Sequence, residues 1–307
     1  MKALVNRGDG TAAVDIVEIP DPSPADNEAV VTVAAVAINR GELRLLATRD
    51  HGWRPGQDVA GTVSHAAADG SGPDPGSRVV AWPEQAGWAE QVAVPTSHLA
   101  VLDDGVTFTA AATLPIAGMT ALRALRLGGE LTGQKVLITG GAGGVGRFAV
   151  EIANGWGAEV TAVTSGPHRA EGLADLGASH VVDDIANADG GFDLILESAG
   201  GESLEKAVGQ IGPDGTVVVF GNSSNEPSSI SFADFRGRAG ARIEAFFVYE
   251  SGNQPTFGDD LQLLVDMVAG GRLHPEVGLE LDWTEANEAF RALGAREVNG
   301  KAVLLVR

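Results

Sequence analysis

The chain has 307 residues, 44% of them apolar, and a formal net charge of −20. That length suits two domains with cores of their own, and the acidity makes nucleic acid and anionic membrane unexpected partners. With no cysteine, disulfides and thiolate-bound zinc are excluded; the first residues, Met1 to Arg7, carry no apolar leader and no run approaches a membrane span, so a cytoplasmic protein is expected.

Over the first hundred residues the pattern is one of strands and turns. β-rich runs at 13–19, 29–38, 59–64, 78–82 and 89–94 are separated by Pro, Gly, Asp and Asn clusters such as 20–27 and 69–76. The character changes at Thr109, where an Ala- and Leu-rich helical stretch is predicted to Leu127. From Lys135 strands alternate with helices, the pattern of a doubly wound parallel sheet. Strands are predicted at 135–139, 159–164, 180–182, 193–197, 216–221 and 242–249. After Asn253 come a predicted helix at 257–270 and a last strand at 302–306.

The most informative segment is 136–146, Val-Leu-Ile-Thr-Gly-Gly-Ala-Gly-Gly-Val-Gly. Gly141, Gly143 and Gly146 satisfy GxGxxG directly after a predicted strand, the context a dinucleotide fingerprint requires. Val145, Phe148, Ala149, Ile152, Ala153 and Trp156 then form an apolar stripe of helical period. In such a turn Gly141 is expected to make the tight bend, Gly143 to let the backbone reach a pyrophosphate, and Gly146 to let helix and strand touch. The helix N-terminus supplies N–H groups and partial positive charge.

An NAD-selective site would place a carboxylate at the end of the second strand. Here Thr164 stands there, no acid occurs from Val160 to Ala170, and Ser165, His168 and Arg169 offer donors instead. Arg169 could hold a 2′-phosphate through charge-assisted bonds, so NADPH is expected in preference to NADH. The alternative for Arg169 is a solvated residue at a helix start.

Several strings together resemble the medium-chain dehydrogenase/reductase superfamily: Pro55-Gly56-Gln57-Asp58-Val59-Ala60-Gly61, Gly87-Trp88-Ala89-Glu90-Gln91, Leu114-Pro115-Ile116-Ala117-Gly118-Met119-Thr120, the glycine turn, Phe192-Asp193-Leu194-Ile195-Leu196-Glu197-Ser198-Ala199-Gly200 and Asn299-Gly300-Lys301-Ala302-Val303-Leu304. Their order and spacing are most similar to the zinc-free quinone oxidoreductase, or zeta-crystallin-like, branch. The resemblance implies an α/β chain with a GroES-like β-rich catalytic domain, 1–112 with 254–307, around a Rossmann NADPH-binding domain at 113–253. Zinc-dependent members carry Cys-x-x-Asp and Gly-His-Glu where this chain has Asn39-Arg40-Gly41-Glu42 and Gly56-Gln57-Asp58. Neutral amides at 39 and 57 are not zinc ligands, and the six histidines show no i,i+4 pair, so no metal is expected.

Without a Lewis acid, the expected acceptor is one that delocalises the incoming charge, a quinone or an α,β-unsaturated carbonyl. The resemblance implies a cleft between the domains lined by Asn39 and Thr120, the two candidate catalytic groups. Asn39 would contact acceptor or nicotinamide amide, or else merely cap its own backbone. By the same resemblance the cofactor would be held by Thr120, Gly141, Ala142, Gly143, Gly144, Val145, Thr164, Ser165, Arg169 and Ser198. Gly221, Asn222, Asn299 and Lys301 would lie near its ribose and phosphates, and Phe246, Phe247 and Val248 near the nicotinamide. Lys301 could equally be an exposed strand-end charge. His51 and Trp53 would border the substrate cleft, and Tyr249, the only tyrosine, is a packing or dimer residue more readily than a proton donor. Glu197 is expected to order its loop. A homodimer paired along 242–249 is implied. Two other activities remain open: an enoyl-thioester or double-bond reductase of a specific pathway, and an NADPH-binding regulatory protein without turnover.

Overall fold

A computed structural model describes residues 1–252 and 255–307. The expected domain boundary at Asn253 lies outside the described residues. The chain divides into two compact units, one of Met1–Met119 with Gly252–Arg307, the other of Thr120–Ser251.

The first unit opens with β1 (Lys2–Asn6) and β2 (Val14–Glu18), an antiparallel pair. There follow β3 (Glu28–Ile38), α1 (Arg40–Thr48), β4 (Asp58–His65), β5 (Arg78–Ala81), β6 (Gln91–Pro95), β7 (Leu99–Val101) and α2 (Phe108–Ala112). A π-helical turn, Leu114–Gly118, leads into α3 (Met119–Arg126). The second unit then runs β8 (Lys135–Thr139), α4 (Gly144–Gly155), β9 (Glu159–Val163), α5 (Pro167–Ala170), β10 (His180–Val182), β11 (Phe192–Glu197), α6 (Glu202–Gln210), β12 (Ile211–Val219) and β13 (Arg242–Ala245). The chain returns to the first unit with α7 (Phe257–Ala269), β14 (Val277–Asp282), α8 (Ala286–Gly294) and β15 (Lys301–Leu305).

The second unit is a wholly parallel sheet in the order β10-β9-β8-β11-β12-β13. Successive connections from β8 lead outward first to one side and then to the other, so the order reverses between β8 and β11, the switch point at which such sheets take ligands. The strands are Val-, Ile- and Leu-rich on both faces because helices cover both. In α4 the stripe residues Phe148, Ala149, Ile152 and Ala153 are buried against the sheet, with Val145 and Trp156 half-buried at its ends.

In the first unit the seven-stranded sheet runs β14-β15-β3-β4-β5-β7, with β6 also on β3. β3 is its axis, eleven residues long and buried along almost all of its length. Trp88 stacks on Phe290 with ring centroids 5.4 Å apart in a core shared by β3, β4, β15 and α8.

Four expected elements differ. The stretch 109–127 is not one helix: Pro115 lacks an amide hydrogen, and the chain passes from α2 through the π turn to α3. α1 lies within the first hundred residues, where only strands and turns were expected. β12 starts at Ile211, five residues early, and β13 stops at Ala245, after which Val248–Glu250 forms a 3₁₀ turn carrying Tyr249.

Candidate functional site

In the second unit Thr139 ends β8 and Gly140 makes the bend, with φ +63°. That conformation was expected of Gly141, whose constraint is different: a Cβ there would lie 3.0 Å from the Ala162 side chain on β9. The Gly143 N–H closes the turn onto the Gly140 carbonyl at 2.9 Å. A Cβ on Gly146 would stand 2.2 Å from that same carbonyl oxygen, so only glycine lets α4 touch the turn. Above Gly143 nothing but the Gly140 oxygen comes within 4 Å of an added Cβ. The result is bare backbone at a helix N-terminus, a cradle that fits a pyrophosphate. Gly144 and Val145 are half-buried beside it, while Ala142 turns inward.

Across the switch point, Thr139 Oγ1 accepts the Ser198 N–H at 2.8 Å. Glu197 is fully buried and accepts the Ala199 and Gly200 amides, each at 3.0 Å, and the Ser203 hydroxyl at 2.8 Å. It orders the loop after β11, as expected. Gly221 approaches Ser198, where a Cβ would sit 3.0 Å from its carbonyl oxygen, and Asn222 is exposed, its Oδ1 accepting from the Ser224 hydroxyl at 2.9 Å.

At the end of β9 Thr164 is buried and its N–H donates to the Val182 carbonyl, Ser165 is exposed, and Arg169 is half-buried on α5. Sequence reasoning missed Arg147. This buried guanidinium of α4 donates through Nη1 to the Glu171 carbonyl at 3.1 Å and fits over Gly172, where a Cβ would lie 2.9 Å from Nη2. It therefore anchors the segment that follows Arg169. Thr120 is buried in the first turn of α3; Phe246 and Val248 are buried, while Phe247 and Tyr249 are exposed.

The first unit holds a second constellation. Ile38 pairs with Ala302 across β3 and β15, and Ala37 with Asp58 across β3 and β4. Continuing the antiparallel register sets Asn39 opposite Lys301, with Asp58 on the neighbouring strand. Lys301 is only 4% exposed and Asp58 is 0% exposed. The Lys301 ammonium donates to Asn39 Oδ1 at 2.6 Å and to Asp58 Oδ2 at 2.8 Å. Asn39 Nδ2 donates to Asp58 Oδ2 at 2.9 Å and reaches Glu42 Oε2 at 3.4 Å. Glu42, in the first turn of α1, accepts the Asn39 backbone N–H at 2.8 Å. Asp58 Oδ1 takes the Ile116 N–H of the π turn at 2.7 Å. Burial, and then the Asp58 charge, push the Glu42 carboxyl up to about 8, against the pull of Asn39 and Lys301.

Lys301 is thus neither an exposed strand-end charge nor free to swing. His51 and Trp53 do not enter this network. The loop carrying them is tied to buried Asn6, whose Nδ2 donates to the Arg49 carbonyl at 2.8 Å and whose carbonyl accepts from the Gly52 N–H at 3.1 Å. His51 Nδ1 lies 3.0 Å from the Arg7 carbonyl oxygen, and Trp53 Nε1 donates to Gln85. Asn299 is half-buried just before β15.

Residues 144–266 match the model of a family described as zinc-binding dehydrogenase. A chloroplast envelope quinone oxidoreductase homolog of Arabidopsis thaliana is 35% identical over 192 residues, covering 57% of this chain and 58% of that protein. A mycobacterial protein, Rv1454c, solved in complex with NADPH, superposes with a TM-score of 0.89 at 23% identity and full coverage of both chains. The matched family model and the quinone oxidoreductase relative support the zinc-free, quinone oxidoreductase-like branch of the medium-chain dehydrogenase/reductase superfamily, and the superposition shows the fold. The spectinabilin polyketide synthase system protein NorB of Streptomyces orinoci is 32% identical over 263 residues, 81% of this chain but 12% of that protein. The chain therefore spans only about a tenth of the length of the polyketide synthase relatives it matches.

The zinc named by the family model does not fit this chain. At the ligand positions Asn39 faces an ammonium, whose charge would repel a divalent cation, and Gln57 donates its amide to the Glu84 carbonyl at 2.9 Å. Among the described residues no group of three or more His, Asp and Glu side chains is placed to hold a metal, and no helix is long and apolar enough to cross a membrane.

Proposed function

We propose that this chain is an NADPH-dependent reductase that delivers hydride to a quinone or an α,β-unsaturated carbonyl. The observation that carries the reading is the bare-backbone cradle at Gly140 to Gly146, set where the order of the parallel sheet reverses. The residues fit a dinucleotide: the first N–H groups of α4 would meet the pyrophosphate, with Ser198 and Gly221 beside the turn. Arg169 would receive a 2′-phosphate, since no acid occurs from Val160 to Ala170, where an NAD-selective site would place its carboxylate. The NADPH-bound neighbour supports the same cofactor. When bound, NADPH supplies the hydride from its nicotinamide C4.

The acceptor follows from the chemistry of positions 39 and 57. An amide and a lysine ammonium offer no open metal coordination, so the developing charge is best spread over a conjugated system, and catalysis rests on placement and hydrogen bonding. In the first unit Asn39 is the candidate for that work; in the second, Thr120 and the backbone at Phe246 to Val248 are. The test is NADPH or NADH oxidation at 340 nm against a quinone, an enone and an enoyl thioester. Turnover of quinone or enone with NADPH supports the proposal; binding of NADPH without oxidation by any acceptor refutes it. A second reading, an enoyl-thioester reductase, is favoured by the polyketide synthase relatives and predicts turnover of the thioester alone.

We also propose a homodimer. β13 lies at the sheet edge and presents exposed Ile243, with exposed Phe247 and Tyr249 following, the kind of edge that pairs with a second copy.

A further inference from the structure

Among 21 cationic side chains the sequence has four lysines against seventeen arginines. One of those four, Lys301, stands in a buried ion pair with Asp58. A guanidinium is a wide planar fork, whereas an ammonium is a compact point charge, and here the cation must sit between two oxygens, Asn39 Oδ1 at 2.6 Å and Asp58 Oδ2 at 2.8 Å. Lysine is almost never so buried unless paired, and the pair offsets its desolvation only with nearly complete hydrogen bonding.

The network also fixes the Asn39 amide. Lysine is a donor only, so the atom facing it must be oxygen; Nδ2 then points at Asp58 and Glu42, both acceptors. Turning the amide over would set NH₂ against the ammonium and oxygen against carboxylate. We propose that the Lys301 ammonium is a built-in cation that stands against residue 39, one of the two positions at which zinc-dependent relatives carry ligands, and that with Asp58 it is the positioning pair for the Asn39 amide. The role assigned to Asn39 in turnover rests on the reductase reading; the occupancy and orientation do not.

The small number of lysines makes the idea directly measurable. With ¹⁵N-lysine labelling of the whole protein, one ammonium signal persists near neutral pH while those of Lys2, Lys135 and Lys206 are lost to exchange with water, and Lys301→Met removes it. In Asp58→Asn the signal exchanges at least about tenfold faster, because the opening that exposes it becomes easier. Addition of zinc chloride alone leaves the wild-type signal in place. No protected ammonium, a protected signal indifferent to Asp58→Asn, or its loss to stoichiometric zinc overturns the proposal, with no reference to any substrate.

Turnover then reads the positioning role. Lys301→Met lowers kcat for the acceptor by about 10- to 100-fold, since small misplacements of a reacting group have effects of this size, while the KM for NADPH stays unchanged. Lys301→Arg does not restore it, because the fork does not fit the slot. A purely structural pair would lower stability and leave kcat intact in the fraction that folds. An active wild type with that outcome rejects the positioning role; an inactive wild type with a protected Lys301 signal instead rejects the reductase reading.

Discussion

Raising the pH should destabilise the first unit through one carboxyl group. Glu42 is 2% exposed, its Oε1 has no hydrogen-bond partner, and its pKa is pushed from 4.5 to about 8 by burial and by Asp58. The folded state therefore holds a proton that the unfolded chain releases above about 4.5. Below that pH both states are protonated and the contribution is fully present; as pH rises it is lost progressively until the folded group ionises near 8. At 1.36 kcal/mol per pKa unit the loss across the window is on the order of 5 kcal/mol. Glu42→Gln removes this slope, so it should be less sensitive to pH than the wild type and the more stable of the two above pH 8. Urea unfolding followed by tryptophan fluorescence is suited to the measurement, since four of the five tryptophans, Trp53, Trp82, Trp88 and Trp283, lie in the first unit. Wild-type and Glu42→Gln midpoints that move in parallel between pH 5 and 9 would refute the reasoning.

Three other outcomes are expected. Arg169→Ala should weaken NADPH by about 10- to 100-fold and leave NADH untouched, the worth of a charged hydrogen bond; equal NADPH and NADH Michaelis constants in the unmutated protein count against it. Gly146→Ala would set a methyl 2.2 Å from the Gly140 oxygen, and overpacking of this kind destabilises by about 1–3 kcal/mol; both the melting temperature and NADPH binding by fluorescence should fall. Light scattering should return twice the 31.4 kDa chain mass, and Ile243→Lys, which puts a charge on the β13 edge, should return a single mass; a monomeric wild type refutes edge pairing.

The glycine turn and the strands of the parallel sheet were legible because each announces itself locally, by spacing along consecutive residues. What escaped was non-local or weakly patterned. α1 buries only Glu42 and Leu46, too thin a stripe for helical period to stand out, and Arg40-Gly41 reads as a turn. Asp58 and Lys301 are 243 positions apart, so their pairing has no sequence signature. A hint was nonetheless present: a charged residue heads each of two apolar strands, Asp58 before Val59-Ala60-Gly61 and Lys301 before Ala302-Val303-Leu304, where an exposed end and a buried ion pair look alike. Arg147 was hidden in the same way, inside a helix read for its apolar face. The bend was assigned one residue late because the fingerprint identifies the glycines by spacing, whereas the left-handed conformation at Gly140 depends on where β8 ends.

Asp58 serves two masters, its Oδ2 turned to Lys301 and Asn39 and its Oδ1 to the Ile116 amide of the π turn. This sharing bears on how such a site can change over generations. Replacing any one of residues 39, 58 or 301 alone strands a buried charge or donor, at a cost of about 3–5 kcal/mol for a broken pair, a large part of a domain's whole stability. Drift between a metal-holding and a lysine-holding pocket is therefore expected to need concerted substitution, and its laboratory signature is a Lys301→Met/Asp58→Asn double variant that unfolds at higher urea than either single one.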